Sequence, residues 1–482
     1  MRARGGPYIA EEIVRACGGA LLAGDPQTVF DSITTDSRDI ERGDLFVPLK
    51  GVNFDGHDFL IPALEAGARG SLVARDANRD NPHVPPFSVL IQVQDTLQAL
   101  STLASAHRKK HPIPLIAVTG SSGKTTVKEM IAAVLRRSHR PLVSQANFNN
   151  RIGLPMTVLD LGPGYSAAVV EAGINLPGEM DELARAAAPQ VAVITTIGPV
   201  HLEGLGSIRS VAEEKFKLVR SLPASGVAVL PYGNEYLTPL AREWGGRVLA
   251  FSVAKGDLRA SRICEGCGTS FIMHSPWGST EIELRIQGNH NVSNALAAAA
   301  AAMSIGASID DVANGLRECR PPALRMEIES LPGNRSLIRD CYNANPQSMK
   351  AALEVLKSFH RGSSGPEPAA GSSGSSRTGL LVAVLGDMYE LGPNAPEYHR
   401  TVGREAALLG IDRMVFVGEH APEYANGYVG GGGRSEAVTL ARDNEEAWSV
   451  LREELDVYGV ILIKGSRKMK METLADRIAR GI

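Results

Sequence analysis

The short apolar run Leu115-Ile-Ala-Val-Thr119 stops at Gly120-Ser-Ser-Gly-Lys-Thr-Thr126, after which Val127, Met130, Ile131, Val134 and Leu135 recur at helical spacing. That order reads as strand, tight loop, helix. Glycines let the backbone fold around a polyphosphate, and the first turn of the helix aims unpaired N–H groups at it. Lys124 can reach the phosphate charge, and the Thr125 hydroxyl can ligate Mg²⁺. The usual phosphate loop has a further glycine five positions before the glycine of the Gly-Lys pair, where Val118 stands, so this is a shorter variant. A Gly-Ser turn with an incidental lysine is the competing reading, and the flanking strand and helix weigh against it.

The chain has 482 residues, too many for one ordinary core, and about 150 residues per domain suggests three. A net charge of -3 gives no reason to expect nucleic acid or an acidic membrane surface as partner. The first residues are not followed by an apolar signal segment, and no run approaches the ~18 apolar residues of a membrane span. A cytoplasmic location is therefore expected, in keeping with use of ATP. Five cysteines in so long a chain argue against a disulfide framework. Cys264-Glu-Gly-Cys267 can be a zinc or redox pair, or a hairpin turn.

Residues 1–110 mix short strand-like runs with turns, and His111-Pro-Ile-Pro114 makes a boundary. Residues 111–320 alternate apolar runs with helical patterns: 167–171, 191–196 and 226–230 read as buried parallel strands of a doubly wound sheet. Alternating residues over 257–287 suggest added antiparallel strands, and Asn291 to Met303 an alanine-rich helix. Residues 321–482 repeat the α/β alternation, with strands near 336–340, 380–385, 413–417 and 459–463 and a helix from Gln347 to Phe359. The Ser/Gly/Pro-rich stretch 361–378 reads as a flexible insertion.

Doubly wound sheets bind ligands at the carboxyl ends of their strands. Glu171 ends one such strand after four apolar residues, and His201 follows another. A buried carboxylate needs a cation or donor; for Glu171 that is a metal or an arginine, while His201 is a metal ligand or a helix cap. Lys215 lies on an amphipathic helix, where a solvated lysine is the ordinary outcome. Gly288-Asn-His-Asn-Val-Ser-Asn294 opens a helix with amides able to read an adenine edge. Arg325, Asp340, Tyr342, Asn343 and Asn345 stand near the last boundary, where an arginine crossing to a γ-phosphate is a recurrent device. Ser37 and Arg38 can contact a ligand's phosphate, or form a turn and a surface ion pair.

Taken together, these segments resemble the Mur ligases over nearly the whole chain. The phosphate loop, Glu171-Ala-Gly173, His201, Lys215 and the 288–294 segment are similar to motifs of the whole superfamily. Asn147-Phe-Asn-Asn-Arg-Ile-Gly-Leu-Pro155, Asp340-Cys-Tyr-Asn-Ala-Asn-Pro-Gln-Ser-Met349, Leu385-Gly-Asp-Met-Tyr-Glu-Leu-Gly392 and Lys464-Gly-Ser-Arg467 point to one branch of it. The resemblance implies three α/β domains: a small N-terminal domain for a UDP-sugar peptide, a central P-loop ATPase and a C-terminal Rossmann-like domain that closes over the site. It implies ATP-dependent joining of D-alanyl-D-alanine to UDP-N-acetylmuramoyl-tripeptide through an acyl phosphate, by a monomer, in peptidoglycan precursor synthesis. A Mur-type ligase adding the third amino acid, a ligase adding glutamate to folate, and a nucleotide-binding scaffold are the alternatives.

By the same resemblance, Gly120, Ser121, Ser122, Gly123, Lys124, Thr125 and Thr126 cradle the triphosphate. Thr125 and Glu171 hold one of two Mg²⁺ ions and His201 helps hold the second. Lys215 matches a lysine that CO₂ carbamylates into a carboxylate-like metal ligand. Asn289 and Asn294 lie near the nucleotide and Arg325 on its phosphates. Asp340 stands at the ribose or the catalytic centre, where it or phosphate is the base, and Tyr342, Asn343 and Asn345 face the base and ribose. Asp36, Ser37 and Arg38 form the uridine-side pocket. Asn149 and Asn150 contact the muramoyl peptide, and Lys464, Ser466 and Arg467 belong to the substrate side. Leu324-Arg325 stands where the family often has Gly-Arg, which leaves the form of that turn open, and the 361–378 insertion has no counterpart.

Overall fold

The computed structural model describes residues 1–77, 84–145, 147–265, 268–361 and 379–481. Cys267 of the Cys-x-x-Cys pair and residues 362–378 of the Ser/Gly-rich stretch lie outside the described residues. At the other cysteine, Cys264, the strands Arg259–Glu265 and Thr269–Ser275 pair antiparallel.

The N-terminal sheet has six strands in the order Arg2–Ala3, Ser32–Thr34, Asp44–Phe46, Gly70–Ala74, Val89–Val93, Ala20–Ala23. Its inner pairs are parallel and its two edge pairs antiparallel. The chain leaves it by the helix Thr96–Lys110, whose first turn is capped by Asp95 accepting from the Gln98 N–H. That helix packs against Gly153–Leu159 and Glu179–Ala187 of the next domain, so it is the element the two domains share.

The central sheet is wholly parallel, in the order Pro141–Val143, Ala167–Glu171, Leu115–Thr119, Val191–Ile194, Val227–Pro231, Arg247–Phe251. Helices cover both faces, which is why its inner strands are apolar along their length rather than at alternate positions, until polar residues such as Thr119 and Glu171 at their carboxyl ends. The chain starts in the middle at Leu115, winds to one side and then to the other. The strand that carries the phosphate loop therefore stands at the reversal of winding, with the ends of Ala167–Glu171 and Val191–Ile194 on either side of it, where such sheets form a crevice. Residues 259–284 add a three-stranded antiparallel sheet, and the alanine-rich helix Asn289–Met303 is buried against Lys124–Leu135.

The C-terminal sheet runs Glu327–Leu331, Arg335–Asp340, Tyr458–Lys464, Leu380–Gly386, Arg413–Val417, Val438–Ala441, parallel except for the first hairpin. The carboxyl ends of Arg335–Asp340 and Tyr458–Lys464 reach the same cleft as the phosphate loop.

Candidate active site

A cleft of about 540 Å³ lies between the central and C-terminal domains. Its floor is the phosphate loop. Gly123 sits in the left-handed region at φ 81°, and a Cβ there would come within 2.6 Å of the Asn294 side chain, so only glycine lets the loop lie this close to the neighbouring helix. The loop is held from below by residues that motif reading did not single out. The Ser121 N–H donates to the Thr196 carbonyl at 2.8 Å, the Ser122 N–H to the Thr196 hydroxyl at 3.1 Å, and the Thr195 hydroxyl to the Ser122 carbonyl. Ser121 Oγ exchanges hydrogen bonds with Gly198. The N–H groups of the first turn of Lys124–Leu135 have no partner one turn earlier in the helix, which leaves them for an anion.

Lys124 Nζ donates to the Gly120 carbonyl at 2.9 Å, folded back on its own loop. Burial lowers its pKa, Glu171 opposes that, and the positive charge of Arg325 adds to it. The Thr125 hydroxyl donates to Glu171 Oε2 at 2.8 Å, and Asn149 Nδ2 to Glu171 Oε1 at 2.8 Å. Both Glu171 oxygens are thus fixed at the strand end, in the wall of the cleft. Asn149 is itself pinned by the Gly173 N–H on its carbonyl. Its place is beside Glu171, while Asn150 uses its side chain to cap Gly153–Leu159 by accepting from the Ile152 and Gly153 N–H groups.

Lys215 is fully buried on the helix Ile208–Arg220, and its Nζ has no hydrogen-bond partner. Burial drives its pKa well below the lysine value and Lys124 adds to the effect, against Glu171 and Glu214. A solvated lysine, the ordinary expectation for an amphipathic helix, is therefore not what the fold provides. His201 lines the cleft in the left-handed region, φ 52°, with Nδ1 2.5 Å from Glu390 Oε2. That hydrogen bond holds the Glu390 carboxyl below its usual range.

The opposite wall belongs to the C-terminal domain. The Arg325 guanidinium lies over the Tyr342 ring, 4.0 Å from its centroid. Leu324 and Met326 on either side of it are in the left-handed region, φ 58° and 53°. The turn thus keeps the conformation that glycine favours although leucine occupies it. Asp340 accepts from Lys464 Nζ at 2.6 Å and from the Met326 N–H at 3.2 Å, and Lys464, 2% exposed, also donates to the Asn343 carbonyl. Asn345 caps the helix Pro346–Arg361 through Ser348 and reaches the Ser121 carbonyl with Nδ2 at 3.3 Å. Gln347 Nε2 donates to the Ile197 carbonyl at 2.9 Å. His290, against Asp340 and Lys464, has its pKa pushed down to about 4 by burial, with Asp340 opposing and Lys464 adding.

Not every residue expected here is brought to the cleft. Asn289 is exposed as the first residue of its helix, whereas Asn291 and Asn294, three residues apart and so on one face, line the cleft. Asp36, Ser37 and Arg38 lie on the loop after Ser32–Thr34, outside the cleft lining. There Arg38 closes its fork on Asp36 through two 2.8 Å hydrogen bonds and holds that carboxyl well below the usual range. Ser466 is buried, accepting from the Tyr389 N–H, and Arg467 is paired with Glu472. Among the described residues no three His, Cys, Asp or Glu side chains cluster to hold a metal.

Three family models match the chain: "Mur ligase family, catalytic domain" over residues 29–108, "Mur ligase middle domain" over 118–302, and "Mur ligase, glutamate ligase domain" over 324–467. The chain is 38% identical over 449 residues to the UDP-N-acetylmuramoyl-tripeptide–D-alanyl-D-alanine ligase of Escherichia coli K12, covering 92% of each chain. It is 35% identical to the Bacillus subtilis protein of the same name, covering 93% of each. The crystal structure of MurF from Acinetobacter baumannii superposes with a TM-score of 0.87 at 31% identity, over 99% of this chain and 100% of that one.

Proposed function

The chain belongs to the Mur ligase family, and from that premise we infer that it joins D-alanyl-D-alanine to UDP-N-acetylmuramoyl-tripeptide at the expense of ATP. The observation that carries this reading is the similarity, at 38% and 35% identity over more than nine-tenths of the chain, to ligases of that name, in a chain whose cleft presents a phosphate loop to a second domain's arginine. The tripeptide's terminal carboxylate attacks the γ-phosphorus and ADP leaves. The amine of D-alanyl-D-alanine then attacks the acyl phosphate carbon and phosphate leaves.

For the first step the chain must bring a carboxylate to a triphosphate against their repulsion. Lys124 exchanges the Gly120 carbonyl for the β- and γ-phosphates, and Arg325, held flat on Tyr342, meets the γ-phosphate from the other domain. Tyr342, Asn343 and Asn294 flank the nucleotide. Mg²⁺, when bound, screens the remaining charge and polarises the phosphoryl group. Thr125 and Glu171 suit one such ion, since they already converge as a hydroxyl and a carboxylate, and His201 suits a second. The buried, unpartnered Lys215 amine, whose protonation burial disfavours, fits carbamylation: it attacks CO₂, loses a proton, and becomes an anionic oxygen ligand. For the second step, Asp340 has both oxygens engaged by Lys464 and Met326, which favours phosphate as acceptor of the ammonium proton.

Asn149 at Glu171, Asn150 and Lys464 at Asp340 line the cleft; Ser466 and Arg467 serve the substrate side through the loops they hold. We assign Asp36, Ser37 and Arg38 to the UDP end, which requires Arg38 to open from Asp36. No helix among the described residues is long and apolar enough to cross a membrane. Together with ATP and UDP-linked substrates, that supports work in the cytoplasm, and one chain supplying the whole cleft supports a monomer. Phosphate release should require both UDP-N-acetylmuramoyl-tripeptide and D-alanyl-D-alanine. Release with meso-diaminopimelate, lysine or glutamate in place of the dipeptide would sink the assignment.

A further inference from the structure

The contact between His201 and Glu390 joins a residue of the central domain to one of the C-terminal domain, and nothing in the ligase chemistry itself requires it. Two hydrogen bonds make it: His201 Nδ1 to the Glu390 carboxylate at 2.5 Å, and the Leu202 N–H to the Glu390 carbonyl at 2.8 Å. Both residues are non-glycine and both are held in the left-handed region, φ 52° and 63°. Such backbone persists only where the surroundings impose it.

On the C-terminal side the surroundings do. The three residues before Glu390 are each tied down: the Asp387 carboxylate accepts from the Glu419 and His420 N–H groups, the Met388 N–H donates to His399 Nε2 at 3.0 Å, and the Tyr389 N–H donates to Ser466 Oγ at 2.9 Å. His399 is fully buried, with its other ring nitrogen donating to the Ala395 carbonyl. Glu390 follows these three anchors, 45% exposed, and its carboxylate is presented to a neighbouring domain rather than to its own. Because a carboxylate accepts, Nδ1 of His201 donates, and Nε2 is the atom left for the cleft. A metal-ligating histidine is commonly fixed through its second nitrogen in this way.

We propose that Glu390 is a positioning residue: it orients His201 toward the second cation, so that this cation's site is complete only while the C-terminal domain is docked. The proposal rests on the reading of His201 as a ligand of that cation. It also explains what Ser466 does, since that residue holds the segment that carries Glu390.

The test uses the full chain with a non-hydrolysable ATP analogue and Mn²⁺ as probe, counted by electron paramagnetic resonance, with small-angle scattering as a second readout. Wild type should bind two Mn²⁺. E390A should keep the first and lose 10–100-fold in affinity for the second, as removal of such outer partners generally does. E390Q, which retains one acceptor oxygen, should lose less. E390A should also fail to compact fully when Mn²⁺ and nucleotide are added. H201A separates the two ideas. Loss of the second Mn²⁺ in H201A but wild-type binding in E390A overturns the role of Glu390 and leaves His201 a ligand. Two tight Mn²⁺ in H201A overturn the reading of His201, and the proposal with it.

Discussion

Replacing Lys215 with methionine should make the protein more stable and much less active. The side chain is fully buried, and Nζ has no acceptor among the described residues. Burial first, then Lys124, drive its pKa well below 10.5, so protonating the amine costs more in the folded protein than in the unfolded chain. A polar group buried without a partner costs about 1–3 kcal/mol in proteins, and methionine fills nearly the same volume without it. Lys215→Met should therefore stabilise the ligand-free protein by about 1–3 kcal/mol, which for a domain of some 200 residues is roughly 2–10 °C in Tm. The pH dependence has a definite sign. Between the depressed folded pKa and the ordinary lysine value the unfolded chain binds the extra proton, so wild-type stability rises with pH through this window. The advantage of the variant should shrink as pH approaches 10.5. Turnover, by contrast, should fall by ~10–100-fold or more, since loss of a group that orients a metal commonly costs ~10–100-fold. Differential scanning calorimetry across pH and ADP release measure the two halves. A variant less stable than wild type, with a gap independent of pH, would mean that Lys215 is charged and paired, and would refute the reasoning whatever the activity.

Lys215→Ala should regain part of its turnover when a short-chain carboxylic acid is added, and no regain under saturating acid would remove the carbamate from the account. Gly123→Ala places a Cβ 2.6 Å from the Asn294 side chain at φ 81°, so it should weaken binding of a non-hydrolysable ATP analogue by at least ~1–2 kcal/mol in calorimetric titration. Lys464→Met leaves the part-buried Asp340 without its cation and should destabilise the C-terminal domain by up to about 3 kcal/mol in thermal unfolding; Asp340→Asn added to it should recover part of that loss. His399, whose pKa burial pushes down to about 4, must stay neutral to accept from Met388. Stability should fall as pH drops from 6.5 toward 4, by up to about 3 kcal/mol from this group, and His399→Gln should flatten that slope in denaturant titrations.

Local order was legible where chemistry and periodicity coincide. The strands Ala167–Glu171 and Arg413–Val417 follow from unbroken apolar runs, and Glu171 from its place at the end of one. Thr125 and Glu171 meeting at 2.8 Å is what a doubly wound sheet makes of those two positions. Long-range partners were not legible. Thr195 and Thr196 look like ordinary strand-end residues until the sheet order sets them beside the loop. Glu390 lies 189 positions from His201 and carries no periodic signal. Asn289 and Asn291 are equivalent as composition, and only the phase of the helix puts one outward and the other into the cleft. Leu324 reads as a departure from glycine, yet the hydrogen bond from the Tyr342 N–H to its carbonyl keeps the left-handed turn.

The cleft is built from the carboxyl ends of two sheets in different domains, and its charges bear on how it closes. Arg325 lowers the pKa of Lys124 across the cleft, so bringing the two walls together places like charges against each other. The contacts that span the domains, Asn345 to Ser121, Gln347 to Ile197 and Glu390 to His201, are few and mostly single hydrogen bonds, each worth about 0.5–1.5 kcal/mol net. A triphosphate between Lys124 and Arg325 reverses the sign of that repulsion, since each cation then faces an anion. If Arg325 meets the γ-phosphate as proposed, binding energy for the nucleotide is also energy for closure.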